Sequence, residues 1–286
     1  MTGATSGIGA VAVKRLIAQS STEVIVGARG GRQVSGATVL ALDLGSLESV
    51  RAFARAVKER LGAAKINMLV FNAGAQFRKE QHSVDGFEMT FAVNHLSHYL
   101  LARLLMPSVA NGGRLVITTS DTHDPAKMPL APRTLDAKAL AHPAKSSAAR
   151  AYAASKLCNL LTARSFAASD DARQRHISVI AYNPGLTGGT SLGGQPALGG
   201  MLAAAVRPVL RLVSLLLPQL YSSTPEQSGD ALADLVLGHV TPPPGRVYAS
   251  HVRGKMTFPD PSKLAKSDDA RDRLWHESAA MVGLPD

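Results

Sequence analysis

Short apolar runs alternate with amphipathic helical stretches along almost the whole chain, and this alternation restricts the fold more than any single motif. Strands are expected at residues 23–29, 38–42, 66–71, 113–120 and 177–182, with a last short one at 245–248. Helical periodicity falls between them, at 10–18, 87–106, 151–161, 224–237 and 268–282. A further helix starts at Ser46, an N-cap, and turns Val50, Phe53, Ala54 and Val57 to one side. Strand followed by helix, repeated, argues for an α/β fold with a doubly wound parallel sheet. No repeat, low-complexity tail or linker divides the 286 residues, so residues 1–286 are expected to form a single domain.

Composition narrows the function classes. The net charge of +10 raises the question of nucleic acid or an anionic membrane. The cations are dispersed, however, through Lys14, Arg15, Arg51, Arg55, Lys58, Arg60 and Arg164, without the interleaved aromatics of a single-strand binder. No nucleic-acid partner is therefore expected, and a basic surface suits a phosphate-bearing cofactor. Cys158 is the only cysteine, which excludes an internal disulfide and suits a reducing compartment. With no basic and then apolar lead-in after Met1, the expected location is cytoplasmic. Residues 201–221 are strongly apolar, but Arg207, Pro208, Arg211 and Pro218 interrupt them, short of the roughly 18 uncharged residues of a membrane span. A substrate lid at about 186–222 is the main reading and contact with a membrane surface the minor one.

Several stretches carry chemistry. In Ala151-Tyr152-Ala153-Ala154-Ser155-Lys156, helical spacing puts the Tyr152 phenol beside the Lys156 ammonium. A positive charge there is expected to lower the phenol pKa towards the range of an acid–base catalyst. Taken alone, the pair is also what a surface tyrosine and a solvated lysine would look like. Thr2-Gly3-Ala4-Thr5-Ser6-Gly7-Ile8-Gly9 precedes a helix, and such glycines admit a pyrophosphate to the helix N-terminus, or simply make a turn. Arg29, ending a strand, can accommodate a ribose phosphate, which favours NADP(H) over NAD(H); otherwise it is a solvated loop arginine. Asp43, followed by Leu44, can accept a hydrogen bond from an adenine amino group. Asn94 sits among apolar residues and needs a backbone or water partner. Ser120 stands at the C-terminal end of a strand, where ligands of open α/β sheets bind. Nearby His123 reads as ordinary structure. Thr187 and Thr190 follow Asn183-Pro184-Gly185 as candidate cofactor contacts.

In this order the motifs make a specific set. With Asn72-Ala73-Gly74, Asn94-His95-Leu96 and Thr119-Ser120, the chain resembles the short-chain dehydrogenase/reductases over nearly its whole length. It looks most like their retinol dehydrogenase and protochlorophyllide reductase-like branch. The resemblance implies a Rossmann fold and a catalytic set of Asn94, Ser120, Tyr152 and Lys156. Tyr152 would exchange a proton with the substrate oxygen, Ser120 would hold that oxygen, Lys156 would bond the nicotinamide ribose, and Asn94 would fix a proton-relay water. Cofactor contacts would come from Gly3, Thr5, Ser6, Gly7, Ile8, Gly9, Arg29, Asp43, Leu44, Asn72, Ala73, Gly74, Tyr152, Lys156, Pro184, Gly185, Thr187 and Thr190. No metal is expected. Relatives are often dimers or tetramers, which leaves a homo-oligomer open.

Two departures from that pattern stand out. The apolar strand that precedes the glycine loop in the family is reduced here to Met1, which raises the expectation that the natural chain begins upstream. Between Arg29 and Thr38 the usual helix is replaced by a short glycine-rich loop, and Ser6 stands where many NADP-preferring relatives carry a basic residue. Arg29 and Arg32 are then left to meet the phosphate. The leading expectation is an NADP(H)-dependent alcohol–carbonyl oxidoreductase with a small lipophilic substrate, because the segment 201–221 is rich in Leu, Val and Ala. Reduction of a ring C=C bond is the second enzymatic reading, and a dinucleotide-binding sensor without turnover the rival from another class.

Overall fold

The computed structural model describes residues 1–20, 22–145, 147–188 and 222–285. The lid expected at about 186–222 therefore lies, except at its two ends, outside the described residues, as does Thr190. In chain order the elements around the sheet are α1 (Gly7–Ile17), β1 (Ile25–Ala28), β2 (Thr38–Ala41), α2 (Leu47–Leu61) and β3 (Ile66–Phe71). A short α3 (Met89–Phe91) passes through a π-turn (Ala92–Leu96) into α4 (Ser97–Leu105), followed by β4 (Val109–Thr118) and α5 (Ala137–Ala141). Then come α6 (Ala148–Ala168), α7 (Asp170–Gln174), β5 (Ser178–Asn183) and the short pair β6 (Leu186–Thr187) and β7 (Ser222–Ser223). The chain ends with α8 (Pro225–Leu237), β8 (Tyr248–Val252), β9 (Lys255–Thr257) and α9 (Asp268–Met281).

Strands β3, β4, β5 and β8 run parallel in that spatial order, and β9 closes the edge antiparallel to β8. β1 and β2 form a separate parallel pair. Thr2 joins the two sets, bridging Gly27 on one side and Phe71 on the other. The Thr2 amide donates to Val70 O at 2.9 Å and the Gly27 amide to Met1 O at 3.0 Å. Two residues thus stand where a full strand would run. Parallel strands normally need a crossover of a dozen or more residues, yet β1 and β2 are joined by 29–37 without a helix, as the glycines there suggest.

Alternation along each strand sorts the core into two layers. Val70, Val116 and Ile180 pack against Ala12, Val13 and Leu16 of α1 and Leu232 and Val236 of α8. Their neighbours Phe71, Leu115, Ile117 and Ala181 face Phe53 of α2, Leu100 of α4 and Leu157 and Leu161 of α6. Each such fully buried aliphatic side chain contributes about 1.5–3 kcal/mol relative to exposure. Helices on both faces of a mostly parallel sheet make this a Rossmann-like α/β fold. α8 starts as its sequence dictates, with Pro225 in the first turn and a capping box between Thr224 and Gln227. The helix expected at 87–106 is not uniform, because the π-turn inserts a residue beside Asn94. Among the described residues no helix is long and apolar enough to cross a membrane.

Candidate active site

At the C-terminal ends of the strands, where strand order reverses at Thr2, a cavity of about 840 Å³ opens. Its floor is the glycine loop. Gly3 has φ +68°, and a Cβ there would meet Ala73 N and Cα at 2.6 Å. A Cβ on Gly9 would stand 1.9 Å from Gly3 O, so Gly9 lies beneath the loop rather than on the cavity wall. Ser6 is the N-cap of α1, but among the described residues no side chain bonds the free amides of the first turn, and no acid lies in that turn. Those amides remain available for an anion. Asn72 ties the floor together, donating from Nδ2 to Gly3 O at 3.1 Å and accepting at Oδ1 from Thr118 Oγ1 at 3.2 Å.

Thr5, Ser6, Gly7, Ile8, Arg29, Arg32, Asp43, Leu44, Asn72, Ala73, Gly74, Pro184, Gly185 and Thr187 all line the cavity, together with Ser120, Tyr152 and Lys156. Arg29 and Arg32 are exposed and form no ion pair among the described residues; Arg32 Nη1 reaches Thr5 Oγ1 at 3.5 Å. Asp43 Oδ1 accepts from Gly45 N at 2.9 Å, which fixes the carboxylate at the rim. A glycine cradle, an uncapped helix start and two unpaired cations together fit a phosphorylated dinucleotide.

The other end of the cavity is densely bonded. Lys156 is 2 % exposed, and its Nζ donates to Thr118 O at 3.1 Å; Asn159 Nδ2 donates to the same oxygen at 3.1 Å. Thr119 Oγ1 donates to Lys156 O at 2.6 Å, so α6 is pinned to the end of β4. Ser120 lies just past that strand, where His123, buried and bonded through Nδ1 to Ser120 O at 2.7 Å, holds its backbone. His123 is thus structural, as expected. Asn94 does not line the cavity. Its Oδ1 accepts from Ala75 N at 2.8 Å, and its Nδ2 donates to Ala75 O at 2.8 Å and to Ser155 Oγ at 3.0 Å.

One electrostatic expectation is corrected. Lys156 does not lower the Tyr152 pKa in this arrangement: burial pushes the phenol up to about 12, and only the neighbouring Ser120 hydroxyl pulls the other way. The reason is geometric. The ammonium lies over the Tyr152 ring, 5.6 Å from its centroid, and burial lowers its own pKa to about 8. Sequence reasoning also misses Thr2, Asn159 and His98, which hold the site from behind. A histidine four residues after a buried asparagine on an apolar helix is the only signal that could have found His98.

A family model described as short chain dehydrogenase matches residues 1–128. A protochlorophyllide reductase of Avena sativa is 30% identical over 326 residues, covering 99% of this chain and 99% of that protein. The chain belongs to the short-chain dehydrogenase/reductase family. Its fold matches a solved structure of an uncharacterised protein from Mycobacterium paratuberculosis, with a TM-score of 0.72 and 25% identity over 99% of this chain and 92% of the other. A short chain dehydrogenase from Burkholderia cenocepacia, solved in complex with NADP, aligns with a TM-score of 0.56 and 24% identity over 82% of this chain and 88% of that one. The chain is an oxidoreductase of this family, and the Tyr152–Lys156 helix and the glycine loop line one cavity in it.

Proposed function

We propose that this oxidoreductase uses NADP(H) to interconvert an alcohol and a carbonyl on a lipophilic substrate. The observation that carries the reading is the single cavity running from Ser120, Tyr152 and Lys156 to Arg29 and Arg32. When bound, the nicotinamide would supply the hydride in reduction and accept it in oxidation. Tyr152 gives its proton to the carbonyl oxygen in reduction and recovers one from the hydroxyl in oxidation; a phenol held protonated by burial is the form reduction needs. Ser120 donates a hydrogen bond to the same oxygen as charge develops there. Lys156, with a pKa of about 8, stays mainly cationic at neutral pH and would bond the nicotinamide ribose. Asn94, whose side chain is committed to Ala75 and Ser155, reaches the proton path only through a water. Arg29 and Arg32, both exposed on the cavity lining, receive the ribose phosphate; the Burkholderia relative solved in complex with NADP supports NADP(H) as the cofactor, not the choice of residues. Phe77, Val93, Met128 and Leu186 on the cavity wall favour an apolar substrate.

Likeness to the Avena protochlorophyllide reductase favours a second reading, reduction of a ring C=C bond with Tyr152 again as proton donor. NADPH consumption with lipophilic aldehydes, ketones, quinones and cyclic enones, by wild type and Tyr152→Phe, tests both. Turnover of carbonyls that disappears in the variant is expected. Turnover confined to the enones selects the second reading, and cofactor binding with no turnover at all defeats both in favour of a sensor.

A further inference from the structure

His98 lies behind the cavity, 2 % exposed, and stacks on Phe71 with ring centroids 5.2 Å apart. Its Nε2 is 3.0 Å from Thr2 Oγ1 and its Nδ1 3.1 Å from Asn94 O. Proton accounting fixes both bonds. Thr2 Oγ1 already accepts from Asn72 N at 3.2 Å and Ala73 N at 3.1 Å, which uses both of its lone pairs. Its one O–H is therefore left for His98 Nε2, which must be the acceptor. Nδ1 then carries the ring proton and donates to the Asn94 carbonyl. Only the neutral Nδ1–H tautomer satisfies both neighbours, and burial, which pushes the ring pKa down to about 4, keeps it neutral.

The two partners belong to different parts of the site. Thr2 braces the Asn72-Ala73 backbone that forms the cofactor floor. Asn94 sits in the π-turn, where the helical ladder shifts by one residue, and bonds Ser155 on the helix that carries Tyr152. We propose that His98 is a positioning residue whose imidazole couples the cofactor floor, through Thr2, to the π-turn that presents Asn94. It touches neither cofactor nor substrate, and this inference rests on the reading of the site proposed above.

Three substitutions separate the two bonds. In His98→Asn the amide stands where Nδ1 stood, keeping the donor to Asn94 and losing Thr2; NADPH affinity is expected to fall about three- to tenfold, more than kcat. In His98→Gln the longer amide reaches Thr2 and loses Asn94, so kcat is expected to fall more than affinity. His98→Phe, which keeps the stacking, should lose both. A bystander histidine would instead change the two parameters together, in step with Tm, and that outcome overturns the proposal. Should the variants fail to fold, nitrogen-15 spectra of the wild-type, cofactor-free protein decide: an Nδ1–H tautomer, neutral at pH 6, is expected, and an Nε2–H tautomer or an imidazolium overturns it. If wild type turns over no carbonyl or enone, the functional reading fails, while the spectra and the NADPH titrations still judge His98.

Discussion

The two ends of the cavity are built on opposite principles. At the proton end, Tyr152 is half-buried and Lys156 buried, and hydrogen bonds among Asn94, Thr118, Thr119, Ser155, Lys156 and Asn159 tie together the π-turn, the end of β4 and α6. At the other end, Arg29 and Arg32 project from an exposed loop with no acidic partner among the described residues. Chemistry needs groups held to a fraction of an ångström, whereas attraction of a phosphate needs only charge within reach. Substitutions should accordingly damage rate at the first end and cofactor choice at the second.

The largest effect is expected for Tyr152→Phe. Removing the hydroxyl should lower kcat by about 10²- to 10⁴-fold while leaving NADPH affinity nearly intact. A parallel loss of affinity, seen by fluorescence titration, would mean that the two ends are not independent. The next effect is on stability. Burial holds the pKa of His95 at about 3 and that of His98 at about 4, both below the unfolded value of 6.5. Between pH 6.5 and 4 the unfolded chain binds protons that the folded chain refuses, so stability is complete above about 6.5 and falls as pH drops. At about 1.4 kcal/mol per pH unit, His98 alone contributes on the order of 3 kcal/mol to this acid lability. Denaturant midpoints across that range should show it, and His98→Phe should flatten the dependence.

Arg29→Ala should act at the other end only. A charge-assisted hydrogen bond contributes about 1.5–3 kcal/mol, less at an exposed site, so NADPH affinity should fall about tenfold. NADH affinity and kcat should hardly move. If the variant loses both cofactors equally, Arg29 shapes the loop rather than reading the phosphate.

How much of this was legible follows the same division. Strands β1 to β5 and the helices α1, α2, α6 and α8 follow from hydrophobic period and caps, because burial on a sheet face leaves such patterns little freedom; the last strand, expected at 245–248, instead forms at Tyr248–Val252, and β9 was not foreseen. The Tyr152–Lys156 pair was legible as neighbours on one helix face. Its electrostatics were not, because the direction of the Lys156 ammonium depends on the Thr118 carbonyl of a strand distant in sequence. The π-turn at Ala92–Leu96 leaves no local signal either; within it Asn94 meets both Ala75 and Ser155, residues distant in sequence. Likewise, Thr2 as a bridge between Gly27 and Phe71 is a property of the assembled sheet.

The smallest expected effect sharpens the comparison most, because it asks only for salt. Exposed charges are screened over a Debye length of about 10 Å at 0.1 M and about 3 Å at 1 M. The attraction of Arg29 and Arg32 for a phosphate should therefore weaken with ionic strength, lowering NADPH affinity by roughly two- to threefold over that range while NADH affinity changes little. The Lys156 ammonium is shielded from solvent by burial, so kcat at saturating cofactor should be flat over the same range. A kcat that falls with salt would place mobile ions at the proton end and mean that the wall of α6 is open. NADPH and NADH responding alike would remove the two arginines from phosphate recognition and leave the uncapped start of α1, which both cofactors share, as the only anchor.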